Sequence, residues 1–192
     1  MAIPRVMVGR IASTDTFDQT GSRYRTARLD PSTHAQVSID YAHHEIHGGS
    51  GYTLSYPITV PIAAEVEIRM ATASSAKWAH MVWSFTNDAA FSVDIFETTT
   101  KAHEAANALT PINRNRNSAN TSGLTFCHTP SGSGDGTTIW SFAGGANKTV
   151  TTAENRNEFI LKSGTAYLIN LTATSADVAH ILLDWYEHTD KN

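Results

Sequence analysis

Apolar and polar side chains alternate in short segments along this chain, and turn-forming residues separate the segments. In Ala64-Glu65-Val66-Glu67-Ile68-Arg69-Met70, the residues Ala64, Val66, Ile68 and Met70 fall on one side and Glu65, Glu67 and Arg69 on the other. Successive side chains of a strand point to opposite faces, so the segment predicts a strand with one buried and one wet face. Trp78 to Phe85 has the same rhythm with two semi-apolar faces, which predicts a central or covered strand. Phe91, Val93 and Ile95 repeat the period, as do Leu124, Phe126 and His128, and then Tyr167, Ile169 and Leu171. In the last segment Ala179, Ile181, Leu183 and Trp185 oppose His180, Asp184, Tyr186 and His188.

Other segments carry the pattern with interruptions. Val37, Ile39 and Tyr41 open the first alternation, and Gly48-Gly49-Ser50-Gly51 turns the chain. Leu54, Tyr56, Ile58 and Val60 share a face, while Pro57 and Pro61 predict an edge or bulged strand, because proline cannot donate to the ladder. Thr138, Trp140 and Phe142 face away from Ile139 and Ser141, after a flexible hairpin tip at Ser131 to Gly136. Thr98 to Ala108 tolerates a helical turn or two. Together these segments make about nine or ten short strands, with no long helix and no repeat of fixed period. The expected fold is all-β: an antiparallel, jelly-roll-like β-sandwich over residues 34–192, preceded by an irregular N-terminal arm over residues 1–33.

Composition narrows the function classes. The 192 residues suffice for one such domain. Charged residues make up only 17%, below the roughly 25% of an ordinary domain. Such a polar but weakly charged surface suits contact with copies or neighbours. The net charge of −4 gives no reason to expect nucleic acid. No apolar run approaches the roughly 20 residues that span a bilayer, so no membrane partner is expected. The single cysteine, Cys127, excludes a disulfide within the chain and reads as a buried thiol. The arm carries Arg5, Arg10, Arg23, Arg25 and Arg28 against Asp15, Asp18 and Asp30, so Arg5 and Arg10 are candidate contacts to an acidic neighbour.

His43-His44-Glu45-Ile46-His47 is the densest cluster of ligating side chains. On a continued strand His43, Glu45 and His47 share a face at steps of about 7 Å, with His44 turned away. Such a set is a candidate zinc or nickel site, but the spacing is not H-E-x-x-H, because Gly48 stands where the second histidine belongs. Interface histidines (His43, His44 and His47) are therefore expected, with no metal and no cofactor. The loop Asn113 to Asn117 offers Arg114 and Arg116 as forked donors to carboxylates, sugars or a neighbour's carbonyls, or is held by its own hydrogen bonds. There is no G-x-S-x-G elbow, no phosphate-binding loop and no EF-hand pattern, so no catalytic residue is expected. Asp184 and Glu187 point to opposite faces and make no carboxylate pair. Tyr52, Trp78 and Trp140 are candidate platforms for a sugar.

The stretch Phe159-Ile160-Leu161-Lys162-Ser163-Gly164-Thr165-Ala166-Tyr167-Leu168-Ile169-Asn170-Leu171-Thr172, followed by Trp185-Tyr186-Glu187-His188, resembles tailed-bacteriophage virion proteins. Those proteins often read ILKPGTTYLIRLTN, then a short turn and WYEH; Lys162-Ser163-Gly164 departs from their proline-containing turn. The His43–His47 segment and Pro111 to Ser118 also recur in that group, so the resemblance spans roughly residues 35 to 190. It implies a capsid decoration or head-fibre-like β-sandwich protein without catalysis, located in the virion and assembled in the host bacterial cytoplasm. Its implied partners are the major capsid protein or other virion proteins and further copies of itself, with a trimer favoured. A carbohydrate- or receptor-binding module of a phage tail or fibre is the alternative, and a metal enzyme built on His43–His47 a third reading.

Overall fold

The computed structural model describes residues 41–62, 64–75, 77–151 and 158–189, together with two short strands in the first forty residues. The chain divides into two units, Met1–Asp40 and Tyr41–Asn192. In the first, β1 (Thr16–Phe17) pairs antiparallel with β2 (Arg23–Tyr24). The rest of the arm, including Arg5 and Arg10, and the proposed start of a strand at Val37 and Ile39, lie outside the described residues.

The second unit begins with a helix, α1 (Tyr41–His47), and continues with β3 (Gly51–Val60), β4 (Glu65–Ala71), β5 (Trp78–Asn87) and β6 (Phe91–Glu97). A single 3-10 turn at Ala105–Asn107 leads into β7 (Ala108–Leu109) and β8 (Ile112–Asn113). Then come β9 (Thr125–His128), β10 (Thr137–Gly144), β11 (Lys148–Thr151), β12 (Phe159–Leu161), β13 (Ala166–Ala173) and β14 (Asp177–His188). These form two antiparallel sheets of six strands. One has the order β11-β5-β14-β3-β8, with β12 beside β11 on the same edge of β5; the other runs β10-β6-β13-β4-β9-β7.

This is a jelly-roll order. Successive long strands β3, β4, β5 and β6 alternate between the sheets, β10 stays beside β6, and β11/β12, β13 and β14 alternate again. The twelve strands from β3 to β14 exceed the nine or ten expected, because β7, β8 and β11 are too short to show a hydrophobic period.

Inward residues of the two sheets make one core. On β14, Ala179, Ile181, Leu183 and Trp185 are buried; on β5, Ala79, Met81, Trp83 and Phe85 are buried. Register aligns them, with Leu183 lying opposite Leu54 on one side and Trp83 on the other. In the facing sheet Ile169 sits between Ile68 and Ile95. Aromatic rings fill the core: Trp185 lies 5.8 Å from Tyr52 in its own sheet and 5.2 Å from Phe126 in the facing one, and Trp83 stacks on Phe159 of its own sheet at 4.5 Å.

Two local expectations fail. The alternation of β10 breaks between Thr138, which pairs with Phe96, and Trp140, which pairs with the next residue inward, Ile95. Ile139 is the extra residue of a β-bulge, so Trp140 turns to the core side, away from Thr138. The hairpin tip expected to be flexible is tied down: Thr99 and Thr100 donate to the Gly134 and Ser133 carbonyls at 2.9 and 2.7 Å, and the Lys101 ammonium joins Glu67 and Asp135.

Leu183→Ala is expected to cost about 2–5 kcal/mol in urea denaturation, because it opens a cavity between two layers. Leu182→Ala on the opposite face, 39% exposed, is expected to stay within about 0.5 kcal/mol. A pH effect comes from Tyr167, whose phenol is pushed up to about 12 by burial and then by the Glu97 carboxylate, against the lowering effect of the Lys162 N–H. An unfolded tyrosine ionises near pH ~10, so this contribution is complete below ~10 and is lost as pH rises through the folded value. Urea midpoints measured up the alkaline range should fall less steeply in Tyr167→Phe.

Candidate functional site

The helix is the main departure from the expected pattern, and it forms one wall of a recess lined by polar side chains. Its end follows from two glycines. Gly49 N–H donates to the Ile46 carbonyl at 3.0 Å and Ser50 N–H to the Glu45 carbonyl at 2.8 Å, with Gly49 at φ 77°. This paired pattern around a left-handed residue closes a helix. A side chain at Gly49 would also meet Ser118 Oγ at 2.4 Å. The signal was present in Ala42 and Ile46, one turn apart, followed by Gly48-Gly49. The alternate positions of His43, Glu45 and His47 obscured it by imitating a strand.

The Asn/Arg loop holds this helix end in place. Asn113 Nδ2 donates to the Gly49 carbonyl at 2.9 Å and the Asn120 carbonyl at 3.0 Å, and Asn115 Nδ2 donates to the His47 carbonyl at 3.0 Å. The side-chain carbonyls of Asn113 and Asn115 each accept an N–H two residues on. The asparagines therefore serve the loop and the helix cap. Arg116 reaches back to the Asn113 carbonyl at 3.4 Å, and Arg114 alone of the two faces the recess.

Helix α1 lies over the outward face of the β14 sheet. Ile46 presses so close to Gly51 that a Cβ there would lie 2.7 Å from its Cγ1. Ala42 and Ile46 form one wall of a cleft of about 90 Å³, with Arg114, Asp184, His80 and Tyr186 among its other walls. Ligand pockets for small molecules span roughly 300–1,000 Å³, so this cleft suits waters, an ion or a single small group.

His80, Glu158 and Tyr186 stand at its floor, and His188 is linked to them from outside the lining. Tyr186 and His80 are register partners on β14 and β5, and their rings stack at 4.8 Å with 16° between planes. Glu158, just before β12, lies with Oε1 3.2 Å from His80 Nδ1, and Tyr186 O–H donates to the same oxygen at 3.2 Å. His80 Nε2 lies 2.8 Å from His188 Nε2. No sequence signal joined these four, because a register between distant strands assembles them.

The sequence-derived candidates are placed differently. His43 and His47 meet as i and i+4 neighbours, with Nε2 atoms 2.9 Å apart and ring centroids at 4.7 Å. The strand expectation for His43, Glu45 and His47 is corrected by the helix: Glu45 leaves the set and lies with Oε1 3.6 Å from His44 Nδ1. Among the described residues no three His, Cys, Asp or Glu side chains are arranged to hold a metal ion. Tyr52 is buried against Trp185 and donates to the Thr121 carbonyl at 3.0 Å, and Trp140 packs against the core, so neither offers a free ring to a sugar. Trp78 remains half-buried on the outward face.

Glu187 is buried on the core side, opposite in direction to Asp184. It accepts from Trp185 Nε1 at 3.0 Å, Ser122 Oγ at 2.6 Å and the Gly123 N–H at 3.0 Å. This carboxylate fastens the 122–123 turn to the end of the core and is not exposed to a substrate. Cys127 is buried beneath the 3-10 turn segment, where its Sγ accepts the Glu104 N–H at 3.4 Å.

Compared with protein-family models, curated proteins and solved structures, the chain matches none of them.

Glu187→Ala removes the acceptor of the buried Trp185 indole N–H and of the part-buried Ser122 hydroxyl and Gly123 N–H, and is expected to cost about 1–3 kcal/mol by urea denaturation. Glu187→Gln keeps one acceptor oxygen and is expected to lose less.

Proposed function

We propose that this protein is a non-enzymatic virion structural protein, a capsid decoration protein that coats a phage head in many copies. The observation that carries this reading is the outward face of the β14 sheet beyond the cleft. Register sets Pro57, His180 and Thr86 in one row and Ser55, Leu182 and Ser84 in the next, none of them Asp, Glu, Lys or Arg. Leu182 and Val178 stand 39% and 43% exposed on this face. A broad, weakly charged β face suits a protein that rests on another protein's surface. The resemblance of the Phe159–Thr172 and Trp185–His188 stretches to phage virion proteins supports the same reading.

Each contact of this kind is modest, and repetition strengthens it. Copies joined to one another and to a shell raise each other's effective concentration, so weak single interfaces make a durable coat. A closed cyclic oligomer, with a trimer favoured, matches the local three-fold positions of a shell. A carbohydrate- or receptor-binding module of a tail or fibre is the second reading. It draws on the cleft, where Arg114, Asp184 and Tyr186 offer polar contacts to a single sugar hydroxyl group or ion.

Mixing with undecorated phage shells tests the first reading. Saturable co-sedimentation is expected, and Leu182→Asp is expected to weaken it at least tenfold while leaving far-UV circular dichroism unchanged. Protein that stays in the supernatant at every concentration rules the coat role out, and specific glycan-array signals would favour the second reading.

A further inference from the structure

His80, Glu158 and Tyr186 on the cleft floor, with His188 beside them, carry chemistry that a coat role does not use. We propose that His80 and His188 bind one borderline divalent metal ion, of the zinc, nickel or copper(II) class, through their two Nε2 atoms. These atoms are 2.8 Å apart, a hydrogen-bond separation, so one ring donates to the other until an ion displaces that proton. The rings come from neighbouring strands, His80 opposite Tyr186 and His188 two residues further along β14. Diagonal neighbours on one sheet face are within reach of long side chains, so the pair is set by backbone register.

The second observation is the carboxylate behind the first ring. Glu158 Oε1 lies 3.2 Å from His80 Nδ1, and the Tyr186 hydroxyl donates to that carboxylate. A hydrogen on Nδ1 satisfies Glu158 and leaves the Nε2 lone pair directed at His188. Metal-ligating histidines are oriented in this way, with the distal N–H donated to a carboxylate. Stacking on Tyr186 fixes the plane of the His80 ring. Imidazole nitrogen selects zinc, copper and nickel over magnesium and calcium, which take oxygen ligands. Among the described residues these two are the ligands, and the adjacent cleft of about 90 Å³ has room for water at further coordination positions. The bound ion would staple the C-terminal end of β14 to β5. The His43–His47 pair has a similar separation, 2.9 Å, but its rings are exposed and Glu45 turns to His44. It serves as the internal comparison.

Chelator-treated full-length protein titrated with Zn2+ by calorimetry is the test. One saturable equivalent is expected, with a thermal midpoint that rises with zinc concentration. His188→Ala, at the end of its strand, is expected to lose that equivalent with the far-UV spectrum unchanged. Glu158→Gln is expected to weaken it 10–100-fold, and the double substitution His43→Ala/His47→Ala to retain it. In the wild-type protein the imidazole 15N shifts of His80 and His188 should move on zinc addition, a readout that needs no variant to fold. No saturable zinc binding, an unmoved pair of 15N signals, or binding retained by His188→Ala overturns the proposal.

Discussion

Two-sided pairing of β14 is the constraint on which the rest depends. Ten of its residues, Asp177 to Tyr186, face β3 and nine, His180 to His188, face β5, so both neighbours are fixed by one strand. Its inward set is apolar as far as Trp185, and its outward set includes His180, Asp184 and Tyr186. A slip of one residue would bring Asp184 and both histidines into the core and expose Leu183 and Trp185. The hydrophobic loss and the buried charge together forbid it. The same register that builds the core therefore places His80, Tyr186 and His188 beside one another on the opposite face.

The polar features share a common task at the ends of the sandwich, where the ladder stops and backbone groups need partners. Asn113, Asn115 and Asn120 satisfy carbonyls at the helix-to-β3 turn. Glu187 satisfies donors at the 122–123 turn, and Thr99 and Thr100 satisfy the carbonyls of the glycine loop. These residue types look like binding residues in a sequence, since amides and carboxylates serve ligands and loops alike. Burial separates the two uses: Asn113 and Glu187 are turned into the protein, whereas Arg114 and Asp184 remain at the cleft.

The long strands were legible because their period of two runs for seven residues or more, as in β4, β5 and β14. The central position of β5 was legible too, from its two semi-apolar faces. The helix was not, because seven residues with His43, Glu45 and His47 at alternate positions satisfy a strand pattern as well as about two helical turns. The bulge at Ile139 was hidden because one extra residue leaves no mark in composition. The cleft-floor cluster was half legible: alternation puts Tyr186 and His188 on one face of β14, and His80 on the matching face of β5. What joins them is the pairing of strands about a hundred residues apart, which a single sequence does not specify.

The edge of β3 has a further consequence for a molecule crowded against its own kind. Beyond Thr53 no described strand pairs with its outer side, yet Pro57 lies in the middle of that stretch. On the opposite border β11 and β12 line β5 as two short pieces, four and three residues long, rather than one continuous rail. A missing donor on one rim and a broken rail on the other deny an incoming chain the long uninterrupted ladder that fibril growth requires. That sheet can be crowded against copies of itself without zipping into filaments, and the eight-residue edge strand of the facing sheet, β10, is interrupted by its own bulge.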